Sequence, residues 1–285
     1  MFIELNSVSY TYSPDSPYSA KALDNVSLKI NKGEFVGIMG QTGCGKSTLV
    51  QLIAGLIQPD SGTVLFDGAD IHAKKYNRQS LRQRIGLVFQ FPEYQLFEST
   101  VARDVAFALK HAGLGKSEVQ KRVCEALSAV GLDYDSIKDK SPLGFSGGEK
   151  RKIAIAGVLV SRPECLILDE PIAGLDPLGR AEFLQLLDRL NRSGTTIILI
   201  SHNTDVLAEH AQRILVMENG HVLRDDKTQA VLCERAFLEQ HGLHAGNVSD
   251  IVHRLRCNGA DICEGTIRYE QLLDEICRIY GRDAL

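Results

Sequence analysis

Nothing in this sequence is apolar enough for long enough to cross a membrane. The longest uninterrupted apolar-plus-glycine run, Ile153 to Val160, falls far short of the ~18–20 residues that a spanning helix needs. The opening residues Met1-Phe2-Ile3-Glu4-Leu5 have neither a basic flank nor a long apolar core, so they do not read as a signal peptide. A surplus of positive charge is also missing: 32 Lys and Arg stand against 36 Asp and Glu, a net charge of −4. That balance argues against a mainly electrostatic nucleic-acid binder. Paired Cys-x-x-Cys spacings are absent too. The seven cysteines (44, 124, 165, 233, 257, 263 and 277) are scattered and odd in number, which fits reduced thiols better than a disulfide framework or a zinc site. There are no internal repeats or low-complexity tracts. The chain is therefore expected to be soluble by itself, with any membrane role coming through a partner.

What is present is an alternation of strand and helix signals. Phe2–Leu5, Val8–Tyr12 and Val26–Ile30 alternate apolar and polar side chains, with Ser13–Pro17 as a turn. Glu34–Met39 reads as a buried strand, and Ser47 to Ile57 carries helical apolar spacing ending near Pro59. Between Gln90 and about Arg162 helices and loops replace strands. Ser117-Glu118-Val119-Gln120 there predicts a capping box ahead of a helix burying Val119, Val123, Ala126, Leu127 and Val130. Strands then return at Cys165–Leu168 and Thr195–Ile200, around a helix from Pro177 to Leu190 capped by Asp176. The expected fold is α/β: a parallel sheet with helices packed on it, an antiparallel β subdomain at the start, and a helical insertion over about 91–162. Residues 1–228 are assigned to this main domain. Residues 229–285 are read as a small helical appendage, with an amphipathic helix at Leu272, Leu273, Ile276, Ile279 and Tyr280 and no chemical constellation.

The chemistry begins at Gly40-Gln41-Thr42-Gly43-Cys44-Gly45-Lys46-Ser47, followed by Thr48. Gly-x4-Gly-Lys-Ser after a buried strand and before a helix is the full pattern of a phosphate-binding loop. Its backbone N–H groups curl around phosphates, and the helix N-terminus adds positive potential. Lys46 then reaches the β- and γ-phosphates of ATP and the Ser47 hydroxyl meets Mg²⁺. Cys165-Leu166-Ile167-Leu168-Asp169-Glu170 places two carboxylates at the end of a second buried strand. Asp169 suits Mg²⁺, through a water, and Glu170 suits the role of general base. Asp169 lies 123 positions after Lys46, more than one strand–helix–strand crossover requires, in keeping with the helical insertion. Cys44 admits two readings: a thiolate favoured at a helix N-terminus, shielded from alkylation by ATP, or a plain spacer.

Within the insertion lies Phe145-Ser146-Gly147-Gly148-Glu149-Lys150-Arg151. With the phosphate loop, Leu168-Asp169-Glu170-Pro171 and His202, it makes residues 1–225 resemble the ATP-binding cassette (ABC) ATPases. The resemblance implies that Ser146, Gly147 and Gly148 contact the γ-phosphate bound to the opposing subunit of a head-to-tail dimer. It implies that Gln90 links magnesium and the attacking water to a membrane partner, that Asp176 crosses the dimer, and that His202 contacts the γ-phosphate. For Asp176 a helix cap is an equally good local reading. Tyr12 looks like the aromatic that stacks on adenine, with Tyr10 and Tyr18 as rivals. Phe145 and Glu149 depart from the usual Leu-Ser-Gly-Gly-Gln, and Ile172 stands where a polar residue is common.

Gln90-Phe91-Pro92-Glu93-Tyr94-Gln95-Leu96-Phe97, Ala154-Ile155-Ala156-Gly157 and Ala173-Gly174-Leu175-Asp176-Pro177 are similar to the ATPases of energy-coupling factor importers of vitamins and transition-metal ions. That likeness implies a pair of cassettes, identical or different, at the cytoplasmic face of the cell membrane. They would dock on an integral transmembrane subunit that joins a substrate-binding membrane protein. Phe91, Tyr94 and Phe97 then either meet that partner or pack within the insertion. The competing class is a soluble ABC ATPase uncoupled from transport, such as one for iron–sulfur assembly.

Overall fold

The computed structural model describes residues 1–281. Two sheets organise it. The first is antiparallel, in the order β2 (Ala20–Ile30), β1 (Ile3–Tyr12), β4 (Ser61–Phe66), β5 (Ala69–Asp70). The second is six-stranded, with β3 (Phe35–Gly40), β6 (Ile85–Val88), β7 (Cys165–Asp169), β8 (Thr196–Ile200), β9 (Arg213–Glu218) and β10 (His221–Lys227) in the order β10-β9-β3-β8-β7-β6. All neighbours in it are parallel except β10, which returns antiparallel along β9 through a tight turn.

The strands of the second sheet have apolar residues on both faces because each face carries its own core. Leu166, Leu168, Ile197, Leu199, Ile214 and Val216 point into one; Cys165, Ile167, Ile198, Ile200, Leu215 and Met217 point into the other. This period-two split explains why these strands read as continuous apolar runs. One core is closed by the antiparallel sheet and by α1 (Lys46–Ile53), through Leu49, Val50, Leu52 and Ile53. The other is closed by α3 (Val101–Ala106), α4 (Lys116–Ala129), α6 (Gly147–Leu159), α7 (Pro177–Arg192) and α8 (Thr204–His210). Short helices α2 (Arg78–Arg84) and α5 (Tyr134–Ile137) complete the middle of the chain.

Several local expectations shift. Phe2–Leu5 and Val8–Tyr12 belong to one long strand, interrupted where Ser7 takes φ +50 and the register with β2 slips. Helix α1 stops at Ile53, four residues early, because Gly55 adopts φ +67 and turns the chain. The capping box at Ser117 does not form. Helix α4 starts two residues sooner, with Gly115 at its N-cap, its carbonyl accepting from Val119 N, and Ser117 already inside the first turn.

The C-terminal fifth divides in an unexpected place. Val231 and Leu232 of α9 (Thr228–Leu232), Leu238 of α10 (Arg235–Gln240), Ala245 and Ile267 are buried in the same core as the main sheet. Only α11 (Asn247–Cys257) and α12 (Tyr269–Tyr280) pair over a separate small cluster of Val248, Val252, Ile262 and Leu272. Packing thus carries the main body past residue 228. Truncating the fully buried Leu238 to alanine should destabilise the whole chain by about 2–5 kcal/mol, read as a shift of the main urea transition. A separate early transition, with the main one unmoved, would show that this segment folds apart.

Candidate active site

Strand β3 ends at Gly40, and the chain reaches α1 through Gly45 at φ +105. A Cβ at Gly40 would lie 2.3 Å from the Met217 carbonyl, and one at Gly45 would lie 2.4 Å from that of Ala22. The loop is therefore held between backbone of the two sheets, where only glycine fits. No side chain caps α1 and its first turn holds no acid, so its leading N–H groups are free for an anion. Lys46 is buried, and its Nζ donates to the carbonyls of Gly40 at 2.7 Å and Gln41 at 2.8 Å. Its third proton meets only Cys44 Sγ, at 3.8 Å, a weak acceptor that a phosphate oxygen can replace.

The second strand tip lies directly beside this loop. The Ser47 hydroxyl donates to Asp169 Oδ2 at 2.7 Å. Hard oxygen donors of this kind suit Mg²⁺, which is held by one or two carboxylates together with substrate phosphates. Among the described residues no group of three His, Cys, Asp or Glu could hold a metal without such help.

Glu170 follows at φ +48, the left-handed region, with its N–H bonded to the Ile200 carbonyl at 3.1 Å. Its Oε1 accepts from the His202 N–H at 2.7 Å and lies 3.6 Å from His202 Nε2. Burial pushes the Glu170 carboxyl above the usual carboxylate range; the nearby His202 and Lys46 oppose the shift and Asp169 adds to it. A carboxylate made more basic at the edge of a phosphate cradle can take a proton from water.

Tyr12, Lys46, Ser47, Gln90, Asp169, Glu170 and His202 line one cleft of about 380 Å³. The Tyr12 hydroxyl lies 3.2 Å from Thr48 Oγ1, and its ring is 40% exposed, edge-on to Tyr10. Its rivals are placed differently: Tyr10 packs against the core, while Tyr18 is exposed and outside the cleft lining. Ser146, Gly147, Gly148 and Asp176 do not line the cleft. Ser146 caps α6 and Asp176 caps α7, its Oδ1 accepting from Gly179 N at 3.2 Å. The Cys44 thiol is buried in the core beneath the loop.

Phe145 is half-buried against the core and Ile172 is buried in it. Phe91, Tyr94 and Phe97 are all exposed, and Phe91 takes φ +60 at the head of a 3₁₀ turn over Pro92–Gln95.

Two features escaped the sequence reading. Arg151 is 3% exposed; its Nε bonds Glu93 at 3.3 Å and its Nη1 donates to the Ala173 carbonyl. It thereby joins α6, the aromatic turn and the loop ahead of Asp176. Its place one turn before the buried Ile155 was the available signal. The other is the loop after α10. Gln41 Nε2 donates to the His241 carbonyl at 2.9 Å and Thr204 Oγ1 to that of His244 at 2.8 Å, while Asp205 accepts from Asn247 N at 2.8 Å.

Residues 23–173 match the model of the ABC transporter family. The chain is 43% identical over 285 residues to the energy-coupling factor transporter ATP-binding protein EcfA2 of Clostridium tetani, covering 100% of this chain and 99% of that one. It is 46% identical over 276 residues to the protein of the same name from Symbiobacterium thermophilum, covering 97% and 96%. Among solved structures it resembles cbiO1 from Clostridium perfringens, part of the ABC transporter complex cbiONQ, at TM-score 0.73 and 36% identity over 90% of this chain and 98% of that one. It also resembles the dimeric cassette MJ0796 bound to ADP and Pi, at TM-score 0.70 and 31% identity over 79% and 98%.

The burial of Cys44 sets aside the expectation of a reactive thiol shielded by ATP. A water-soluble maleimide should label the exposed Cys124, Cys257 and Cys263 while leaving Cys44 unmodified with or without ATP, as read by peptide mass spectrometry. Rapid labelling of Cys44 that ATP suppresses would restore the earlier view.

Proposed function

The chain belongs to the ABC transporter family, and from that premise we propose that it is the ATP-hydrolysing subunit of an energy-coupling factor importer. The observation that carries the reading is the convergence of Lys46, Ser47, Asp169, Glu170 and His202 on one cleft, from strands far apart in sequence. The phosphate loop and the α1 N-terminus hold the triphosphate of ATP, with Lys46 at the β- and γ-phosphates and Tyr12 against the adenine. Ser47, Gln90 and Asp169 would hold Mg²⁺, which would supply positive charge to offset that on the transferred phosphoryl group. Glu170 takes the proton of the attacking water as its oxygen bonds to the γ-phosphorus and the bond to the β,γ-bridging oxygen breaks. The His202 N–H orients that carboxylate, and the His202 ring reaches the γ-phosphate.

Each chain carries one copy of each motif, and Ser146–Gly148 stand outside their own cleft. Two cassettes, identical or different, therefore complete each other's sites, with Asp176 at the crossing. ATP closes the pair and hydrolysis opens it. The exposed Phe91, Tyr94 and Phe97 form the dock for the integral membrane subunit, which joins a substrate-binding membrane protein for vitamins or transition-metal ions. The chain then sits at the cytoplasmic face of the cell membrane through these partners; no helix among the described residues is long and apolar enough to cross it. The relatives named above lend no support to a cassette uncoupled from transport.

Replacing Glu170 with glutamine should leave ATP binding intact and lower turnover by about 10²–10⁴-fold, with an ATP-stabilised dimer on size-exclusion chromatography. Undiminished hydrolysis would remove Glu170 from the reaction. Because a base works only when deprotonated, wild-type kcat should fall with acid through a pKa above the ordinary ~4.3 of glutamate. A pH–rate profile whose acid limb lies at or below that value would contradict the role given to burial.

A further inference from the structure

Signature residue Ser146 is engaged within its own chain. A single carboxylate oxygen, Glu149 Oε2, accepts from the Ser146 backbone N at 3.0 Å and from the Ser146 hydroxyl at 2.7 Å. The Glu149 N–H returns a longer bond to Ser146 Oγ at 3.4 Å. Together these form the capping box that starts α6. The two bonds from Ser146 hold the Glu149 carboxyl below the usual carboxylate range, the hydroxyl bond being the larger cause.

The consequence lies in the count of protons. A serine hydroxyl has one proton and two lone pairs, and an ionised carboxylate only accepts. The bond at 2.7 Å therefore points the Ser146 proton at Glu149, in a charge-assisted hydrogen bond that is stronger than a neutral one. Ser146 then turns only its remaining lone pair toward anything arriving from outside, and the carboxylate adds negative charge beside it. A phosphate oxygen is itself an acceptor, so it meets repulsion where it needs a donor. A glutamine at 149 can cap the helix as well, but its NH₂ can donate to Ser146 Oγ and release the hydroxyl proton. Both residues are exposed, so burial does not prevent an approach.

We propose that Glu149 is a positioning residue that keeps the Ser146 proton within its own chain and so makes this signature arm a weak partner for the γ-phosphate held by the opposing cassette. The inference rests on the two-cassette reading given above. It implies that the ATP site closed by this arm is the slower one wherever the opposing cassette offers an uncharged arm in return.

The test is steady-state ATP hydrolysis by the full-length chain in its purified dimer, with ATP and Mg²⁺. Glu149→Gln should raise kcat/KM for ATP about five-fold, the scale of one hydrogen bond gained, with no change in melting temperature because the amide still caps α6. Ser146→Ala should remove more activity when position 149 is glutamine than when it is glutamate, because only then is the hydroxyl proton in use. A merely structural cap would show neither effect. Equal or lower activity of Glu149→Gln, or equal losses from Ser146→Ala in both backgrounds, would overturn the proposal. Glu170→Gln separates the two levels. If turnover survives it, the hydrolytic reading itself fails. If turnover is lost and Glu149→Gln has no effect, only the role of Glu149 fails.

Discussion

The hydrogen bond from the Ser47 hydroxyl to Asp169 is the contact on which the rest of the molecule depends. It joins the start of α1 to the tip of β7, two points separated in sequence by the whole of the helical insertion. For it to form, β3 and β7 must lie in one sheet with only β8 between them. That order requires both faces of the sheet to be covered, which is why every central strand divides its side chains between two cores. The insertion can be long because its helices close one of those cores, while the antiparallel sheet closes the other.

The glycines of the phosphate loop express the same constraint from the backbone side. Gly40 lies against the Met217 carbonyl and Gly45 against that of Ala22, each too close for a side chain. Met217 belongs to the parallel sheet and Ala22 to the antiparallel one. The loop is thus a seam between two sheets as well as a cradle for phosphate. Lys46 tightens it by bonding the Gly40 and Gln41 carbonyls, and Gln41 passes the connection on to His241.

Much of this was legible in the order of residues. The phosphate loop, Asp169 and Glu170 announce themselves because their chemistry depends on neighbours in sequence, and Asp176 as a cap is a local matter of three residues. The apolar runs of β3, β7 and β8 were equally plain. Strands β6, β9 and β10 were not recognised, nor were β4 and β5 of the antiparallel sheet. The first is four residues long, and β10, His221–Lys227, is mostly polar; each owes its existence to a partner strand rather than to its own pattern. Arg151 reads as a surface charge until Glu93 and Ala173 are seen around it. Cys44 could not be oriented, since a residue inside a tight loop shows no periodicity to say which way it faces. Residues 241–247 carry no motif at all; their contacts to Gln41, Thr204 and Asp205 exist only in three dimensions.

Glu170 occupies a backbone conformation that L residues rarely adopt, at φ +48. Such a position costs a side-chain-bearing residue about 1–2 kcal/mol that glycine avoids. The burial that raises the carboxyl's proton affinity adds a further cost whenever the group is charged. A protein shaped by stability alone would place glycine there, and would then give up the carboxylate proposed above as the base. Position 170 is thus where folding and turnover ask for different residues, and a chain evolved in the laboratory for heat resistance without a test of activity should lose its glutamate at this point early.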